Sequence, residues 1–94
     1  MIERDKDVVE WALLRSGLHE AHQHLGDLIK AMDSESDFDE ISFGIKLGHI
    51  YAHLNQAWKG RDKKGDWSDA EFDEFSKYPT DLQPDGTWPP LENT

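Results

Sequence analysis

The histidines are the residues whose type and spacing could support chemistry in this chain. There are five of them in 94 residues, and they fall in two short groups. His19, His22 and His24 lie in the segment HEAHQH, whereas His49 and His53 are four positions apart. Two imidazoles four residues apart on an α-helix project from the same side and can bind one metal ion. The spacing therefore indicates a candidate metal site.

The two groups of histidines meet if the helices that carry them pair as an antiparallel hairpin that turns at residues 34–35. This pairing predicts His22, His49 and His53 as metal ligands and His19 as a fourth ligand. A divalent transition metal such as zinc would suit an all-imidazole site. The alternative is that the imidazoles border the helix pair without an ion. The sequence favours this alternative, in which the chain has no cofactor.

Other metal-binding patterns are incomplete. HEAHQH is not the zinc-protease motif, because Gln23 stands where the second histidine would be. Residues 62–73 have the length of a calcium-binding EF-hand loop. However, Lys64, Trp67 and Asp73 occupy positions that need an oxygen ligand, a glycine and a glutamate. The Glu-x-x-His pairs of di-iron bundles are also missing.

Patterns typical of enzymes are missing as well. The sequence contains no G-x-S-x-G elbow, no P-loop and no G-x-G-x-x-G fingerprint. The second apolar segment has no acidic residue after Glu40, which argues against the four-helix nucleotide pyrophosphohydrolases and their paired magnesium-binding acids. The sequence does not decide whether the protein is an enzyme, but it favours a protein without catalytic activity. A small hydrolase of unknown type is the second alternative to the main interpretation.

Two long segments with helical periodicity must position the histidines. Residues 5–32 contain no proline, and their apolar side chains recur at alternating spacings of three and four, which predicts an amphipathic helix. The residues of this stripe are Trp11, Leu14, Leu18, Ala21, Leu25, Leu28 and Met32. Residues 37–60 predict a second helix, with Ser36 or Asp37 as its N-cap.

A short third helix is predicted near the C-terminus. Ser68 and Glu71 have the spacing of a capping box, and Trp67 is placed for a hydrophobic staple against Phe72. Pro79 should stop any further helix.

The predicted fold is all-α. An antiparallel helical hairpin and the short third helix make one domain over residues 1–79. Residues 80–94 contain three of the four prolines and form an extended tail, either packed on the body or mobile. The predicted pairing also sets Gly17 level with Ala52 and Ala21 level with Gly48. Because a mid-helix glycine costs about 1 kcal/mol relative to alanine, we expect the helices to approach closely there.

The second helix has more apolar surface than one partner helix can cover. Large exposed apolar patches mark interfaces, so we expect a homodimer that completes a four-helix bundle. The predicted interface consists of Phe38, Ile41, Phe43, Ile45, Leu47 and Leu54. The alternative is that the third helix and the tail cover this surface within one chain.

Three tryptophans offer a second contact surface. Trp58 and Trp67 flank the basic cluster at residues 59–64, and Trp88 lies in the tail. Tryptophan is enriched in the residues that dominate protein–protein binding, so a protein partner is one interpretation. The other interpretation is that these side chains close the end of the bundle.

Composition limits the remaining classes of function. Ten basic and twenty acidic residues give a formal charge of −10, which repels phosphate and argues against a nucleic-acid partner. No apolar run approaches the roughly 18 residues of a membrane span, and there is no cysteine. The N-terminus is charged where a signal peptide would be apolar. We therefore expect a small acidic cytoplasmic helical protein that acts as an interaction or accessory homodimer, with a metal-binding bundle as the first alternative.

Overall fold

Three α-helices make up the computed structural model, which describes residues 1–82 and 84. Helix α1 covers Val8–Ser34, α2 covers Glu40–Lys59 and α3 covers Asp69–Phe75. The described part of the chain contains no strand, so the predicted all-α fold is confirmed. None of the helices in that part is long and apolar enough to cross a membrane.

The two long helices lie against each other in antiparallel directions. Glu20 of α1 contacts His53 of α2, and further along the pair His24 contacts His49. The buried apolar side chains of these two helices are few, and two of the four are alanines. They are Ala21, Leu28 and Ala31 of α1 and Ile50 of α2. The hairpin therefore has a thin core, as expected for a short chain.

The connection between α1 and α2 differs from the prediction. The N-cap of α2 is Asp39, whose carboxylate accepts the backbone N–H of Ser42 at 2.8 Å, so the predicted caps Ser36 and Asp37 are wrong. This hydrogen bond to the charged form lowers the pKa of Asp39. At the other end of the connection, α1 continues to Ser34, whose hydroxyl donates to the Lys30 carbonyl at 2.7 Å.

The longer connection shifts the pairing of the two helices. Since α1 ends at residue 34 and α2 begins at residue 40, the hairpin turns about residue 37 and not about residues 34–35. The residues that lie level with each other move by about four positions, which is close to one helical turn. The predicted register is therefore wrong, and the shift decides which histidines meet.

The end of the hairpin is closed by both termini of the described chain. The Ile2 side chain is buried, and its backbone N–H donates to the Arg61 carbonyl at 2.7 Å. The Arg61 guanidinium lies over the Trp58 ring at 3.8 Å, and the Trp58 indole N–H donates to Asp81 at 2.8 Å. Of the predicted tail, residues 80–94, only 80–82 and 84 are described, and Trp88 lies outside the described residues.

Helix α3 has the predicted capping box. The Ser68 hydroxyl accepts the Glu71 N–H at 3.1 Å, and the Glu71 carboxylate accepts the Ser68 N–H at 3.2 Å. The Trp67 ring lies 6.3 Å from that of Phe72 and 5.0 Å from that of Phe75, which is the expected staple extended by one turn. These contacts fix the position of Trp67 beside the hairpin.

The expected close approach at the small residues of the helix pair is wrong. A Cβ atom built on Gly17 or on Gly48 meets nothing within 4 Å in the described structure. The tight glycine is instead Gly60, where a Cβ would lie 2.6 Å from the Trp67 ring and 2.8 Å from the Gln56 carbonyl oxygen. The loop after α2 thus needs glycine for a contact that helical periodicity does not predict.

This contrast gives a prediction for two otherwise identical substitutions. Gly17→Ala should stabilise the fold by about 0.5–1 kcal/mol, because alanine favours the helix and the space is open. Gly60→Ala should destabilise it by about 1–3 kcal/mol, because the added methyl group overlaps the Trp67 ring. Urea unfolding followed by circular dichroism measures both changes. Equal effects of the two substitutions would contradict the packing described for Gly60.

Candidate metal centre

Three histidines come together on one side of the hairpin: His24 of α1 and His49 and His53 of α2. One ring nitrogen from each lies within 4.8 Å of those of the other two. The ring centroids are 4.6–5.2 Å apart. Within residues 1–82 and 84 this is the only group of three or more potential metal-binding side chains that meets this spacing. We call these three residues the histidine triad.

The α2 pair of the triad has the separation that one ion requires. The Nε2 atoms of His49 and His53 are 3.2 Å apart. Two nitrogens bound to a tetrahedral zinc at 2.0–2.1 Å lie about 3.3–3.4 Å from each other. The helix itself produces this proximity, because residues four apart lie one above the other on the same face. Without an ion, one of these imidazoles can donate a hydrogen bond to the other.

The third member of the triad is not the histidine that the sequence indicates. His24 stacks on His53 with an interplanar angle of 17°. His19 and His22 do not belong to the triad and lie next to each other, with their ring centroids 6.2 Å apart. His24 replaces them because the hairpin turns later than predicted. The sequence predicts that His24 meets His49 and His53 only after Asp39 has been assigned as the N-cap of α2, because that assignment fixes where the hairpin turns.

A carboxylate lies behind the triad. The Oε2 atom of Glu20 is 3.6 Å from Nδ1 of His53, so one edge of this ring faces Glu20 while its Nε2 faces His49. Metal-bound histidines commonly direct their second nitrogen towards a carboxylate, which orients the ring and makes it a stronger ligand. Glu20 and His53 therefore have the arrangement of such an outer carboxylate and its histidine.

The environment of His53 favours the neutral ring that a metal needs. Burial lowers the pKa of His53, and proximity to the imidazoles of His49 and His24 lowers it further, against an opposing effect of Glu20. Because metal ions bind only neutral imidazole, a lowered pKa reduces the competition from protons.

The lowered pKa of His53 predicts how stability depends on pH. In the unfolded chain this ring titrates near 6.5, so as the pH falls the unfolded state takes up the proton first. Stability of the metal-free protein should therefore be highest above pH 6.5 and decrease as the pH falls through 6.5 towards the lower folded pKa. Thermal unfolding between pH 5 and pH 8 with EDTA present measures this change.

His53→Gln is the matched variant for this prediction, since it keeps a polar side chain and removes the titration. It should show a flatter dependence on pH over the same range. Identical slopes for the two proteins would contradict the assignment to His53.

The surroundings of the triad allow an ion to enter. His24 and His49 line a cleft that also contains Asp27 and Lys46, whose formal charges cancel, and the Glu20 carboxylate beside His53 adds one negative charge. The formal charge of −10 on the chain attracts cations at longer range. Three protein ligands leave one position of a tetrahedral ion open to water or to another ligand.

Comparison with known proteins identifies no family for this chain. No protein-family model matches the chain, and no curated protein and no solved structure matches it either.

Proposed function

We propose that this protein binds a divalent transition-metal ion through the histidine triad. The observation that carries the proposal is the position of three ring nitrogens, from both long helices, within 4.8 Å of one another. Imidazole ligands suit zinc, copper, nickel and iron, and zinc accepts three histidines with an open fourth position. His49 and His53 remain from the ligands indicated by the sequence, and His24 takes the place of His19 and His22.

The bound ion would act as a staple for the hairpin. The core between α1 and α2 is thin, and small domains with thin cores commonly gain stability from a structural metal. An ion held by His24 on one helix and by His49 and His53 on the other binds the folded state and not the separated helices. At a free concentration 100 times its Kd, such a ligand stabilises the folded state by about 2.7 kcal/mol.

Calorimetric titration with zinc chloride, together with thermal unfolding with and without EDTA, tests the metal site. The proposal predicts one ion per chain and a higher unfolding temperature that EDTA reverses. Binding of several ions without a change in unfolding temperature would be adventitious and would count against it.

A second function, homodimerisation, is supported by an apolar face on the opposite side of the hairpin. At about 100° per residue, the exposed aliphatic side chains of α1 lie to one side of its buried Leu28, whereas His24 and Glu20 lie to the other. On α2, exposed apolar side chains likewise lie on the side of Ile50 away from His49 and His53. The members of this apolar face are Leu18, Leu25, Ile29 and Met32 of α1 and Phe43, Tyr51 and Leu54 of α2.

The apolar face belongs to both helices, which favours a second copy of the chain as its partner. A two-fold axis through this face would place four helices around one core, the arrangement of a four-helix bundle. Leu47 is half-buried beside it, and Phe38 precedes α2. Ile41 and Ile45 are 72% and 70% exposed and lie on the far side of α2 from Ile50. We therefore propose an interface centred on the apolar face and not on these two isoleucines.

A metal-stapled homodimer is compatible with an accessory or interaction role. The triad and the apolar face lie on opposite sides of the hairpin, so metal binding and dimerisation do not compete for the same surface. Sedimentation equilibrium at micromolar concentration tests the dimer, and a monomer under those conditions would contradict it.

A further inference from the structure

A cavity of about 200 Å³ lies between the two long helices and the segment that connects α2 to α3. It is separate from the cleft of the triad, and of the triad only His53 contributes to its wall. Most of the wall is apolar or backbone. These parts of the wall come from Leu13, Leu14, Gly17, Ala57, Gly60 and Trp67.

Four polar side chains complete the wall, and three of them already have partners. Lys63 forms an ion pair with Glu71 at 2.9 Å, and the Gln56 amide donates to the Ser76 hydroxyl at 2.9 Å. His53 faces His49 and Glu20. The fourth, Glu10, is half-buried and has no hydrogen bond or ion pair to any described residue.

The cavity thus combines an apolar wall with one unpartnered negative charge. The Lys63 ammonium also lines the cavity, but it is paired with Glu71 at 2.9 Å, so the unpaired charge on the wall is the Glu10 carboxylate. A buried or half-buried carboxylate gains most from a hydrogen-bonded cation. The charge of −10 on the chain adds a field that attracts cations and repels anions.

We propose that this cavity binds a small primary amine with an aromatic body, an arylalkylamine. Its ammonium group pairs with the carboxylate of Glu10, and its ring packs against Leu13, Leu14 and Trp67. The size fits this class, since a closed apolar cavity of about 150 Å³ in another protein accepts benzene, and this cavity of about 200 Å³ is larger and partly open to solvent. The proposal does not depend on a metal at the triad.

Three probes that share a phenylethyl body separate charge recognition from simple apolar filling. Phenethylamine, 2-phenylethanol and 3-phenylpropionate are titrated in turn into ¹⁵N-labelled protein in phosphate buffer with EDTA. The readout is the indole N–H cross-peak of Trp67, assigned with Trp67→Phe. Phenethylamine should bind at millimolar concentration and about tenfold more tightly than the alcohol, as expected for a charge-assisted hydrogen bond. Phenylpropionate should not bind.

Two variants identify the groups responsible. Glu10→Gln should remove the tenfold preference for the amine over the alcohol while leaving alcohol binding unchanged. Gly17→Leu should abolish the binding of both, because its side chain fills the cavity. Its Cβ meets nothing within 4 Å, and circular dichroism checks that the fold tolerates the rest of the leucine side chain. Equal affinity for amine and alcohol, an unchanged preference in Glu10→Gln, or a response at tryptophans other than Trp67 would each overturn the proposal.

Discussion

His49→Ala will lower the affinity of the proposed site for zinc by more than about 100-fold. His49 would supply one of three ligand nitrogens, and its Nε2 atom lies 3.2 Å from that of His53, so its removal leaves two ligands that come from different helices. Loss of an outer partner of a metal ligand already costs 10- to 100-fold in affinity, and loss of a ligand itself costs more. Titration against a zinc-binding chromophore at pH 7.5 measures the change.

The matched control for this experiment is His22→Ala. It removes the same side chain from α1, but His22 is outside the triad and next to His19. Zinc affinity should remain within about twofold of the original. His24→Ala should behave like His49→Ala, because His24 is the proposed ligand from α1. If His24→Ala retains full affinity, zinc binds only the pair on α2 and the proposed site between helices is wrong.

The same variants also test the effect of zinc on the unfolding temperature. At a free zinc concentration 100 times the Kd, a linked stabilisation of about 2.7 kcal/mol in the unmodified protein corresponds to a rise of about 10–20 °C in the unfolding temperature of a domain of this size. His22→Ala should show the same rise, and His24→Ala should show almost none. A rise retained in His24→Ala would mean that the ion does not join α1 to α2.

The double substitution Leu25→Lys and Ile29→Lys will convert the proposed homodimer to a monomer. Leu25 is 43% exposed and Ile29 is 55% exposed within one chain, so a second copy can bury roughly the remaining half of each. Four such side chains per dimer correspond to about 3–6 kcal/mol of apolar burial, or about two to four orders of magnitude in the dimer Kd. Sedimentation equilibrium over a range of protein concentrations measures the shift.

Ile41→Lys with Ile45→Lys is the matched control for the dimer. It replaces two aliphatic side chains and changes the net charge by the same amount, but it lies on the far side of α2 from Ile50. The dimer should survive this change. If the two substitutions on α2 dissociate the dimer and the two on α1 do not, the interface lies on the far side of α2. Helical circular dichroism must be preserved in both variants for the comparison to hold.

Local features of this fold follow from short stretches of sequence. The capping box of α3 needs only Ser68 and Glu71, because the hydrogen bonds join residues three apart. The pairing of His49 with His53 needs only the helix, since one turn brings residues four apart together. The number of helices and their order were predictable for the same reason, as apolar periodicity is a local property of the chain.

The length of the connection between the long helices was harder to predict. Asp37 and Asp39 both have side chains suited to an N-cap, and the sequence alone gives little reason to prefer one of them. In the structure Asp39 accepts the N–H of Ser42, and α1 runs on to Ser34. Because the turn contains these additional residues, each residue of α1 lies opposite a residue of α2 about one helical turn away from the predicted one.

The sequence by itself determined an all-helical chain with two long amphipathic helices, a capped third helix and a histidine pair on α2. Only the tertiary structure decided that His24 completes the triad and that Glu10 is left unpartnered in a cavity beside it. The physical reason is the same for both. Contacts within a helix depend on spacing along the chain, whereas contacts between antiparallel helices depend on where the turn falls, and here it falls about residue 37.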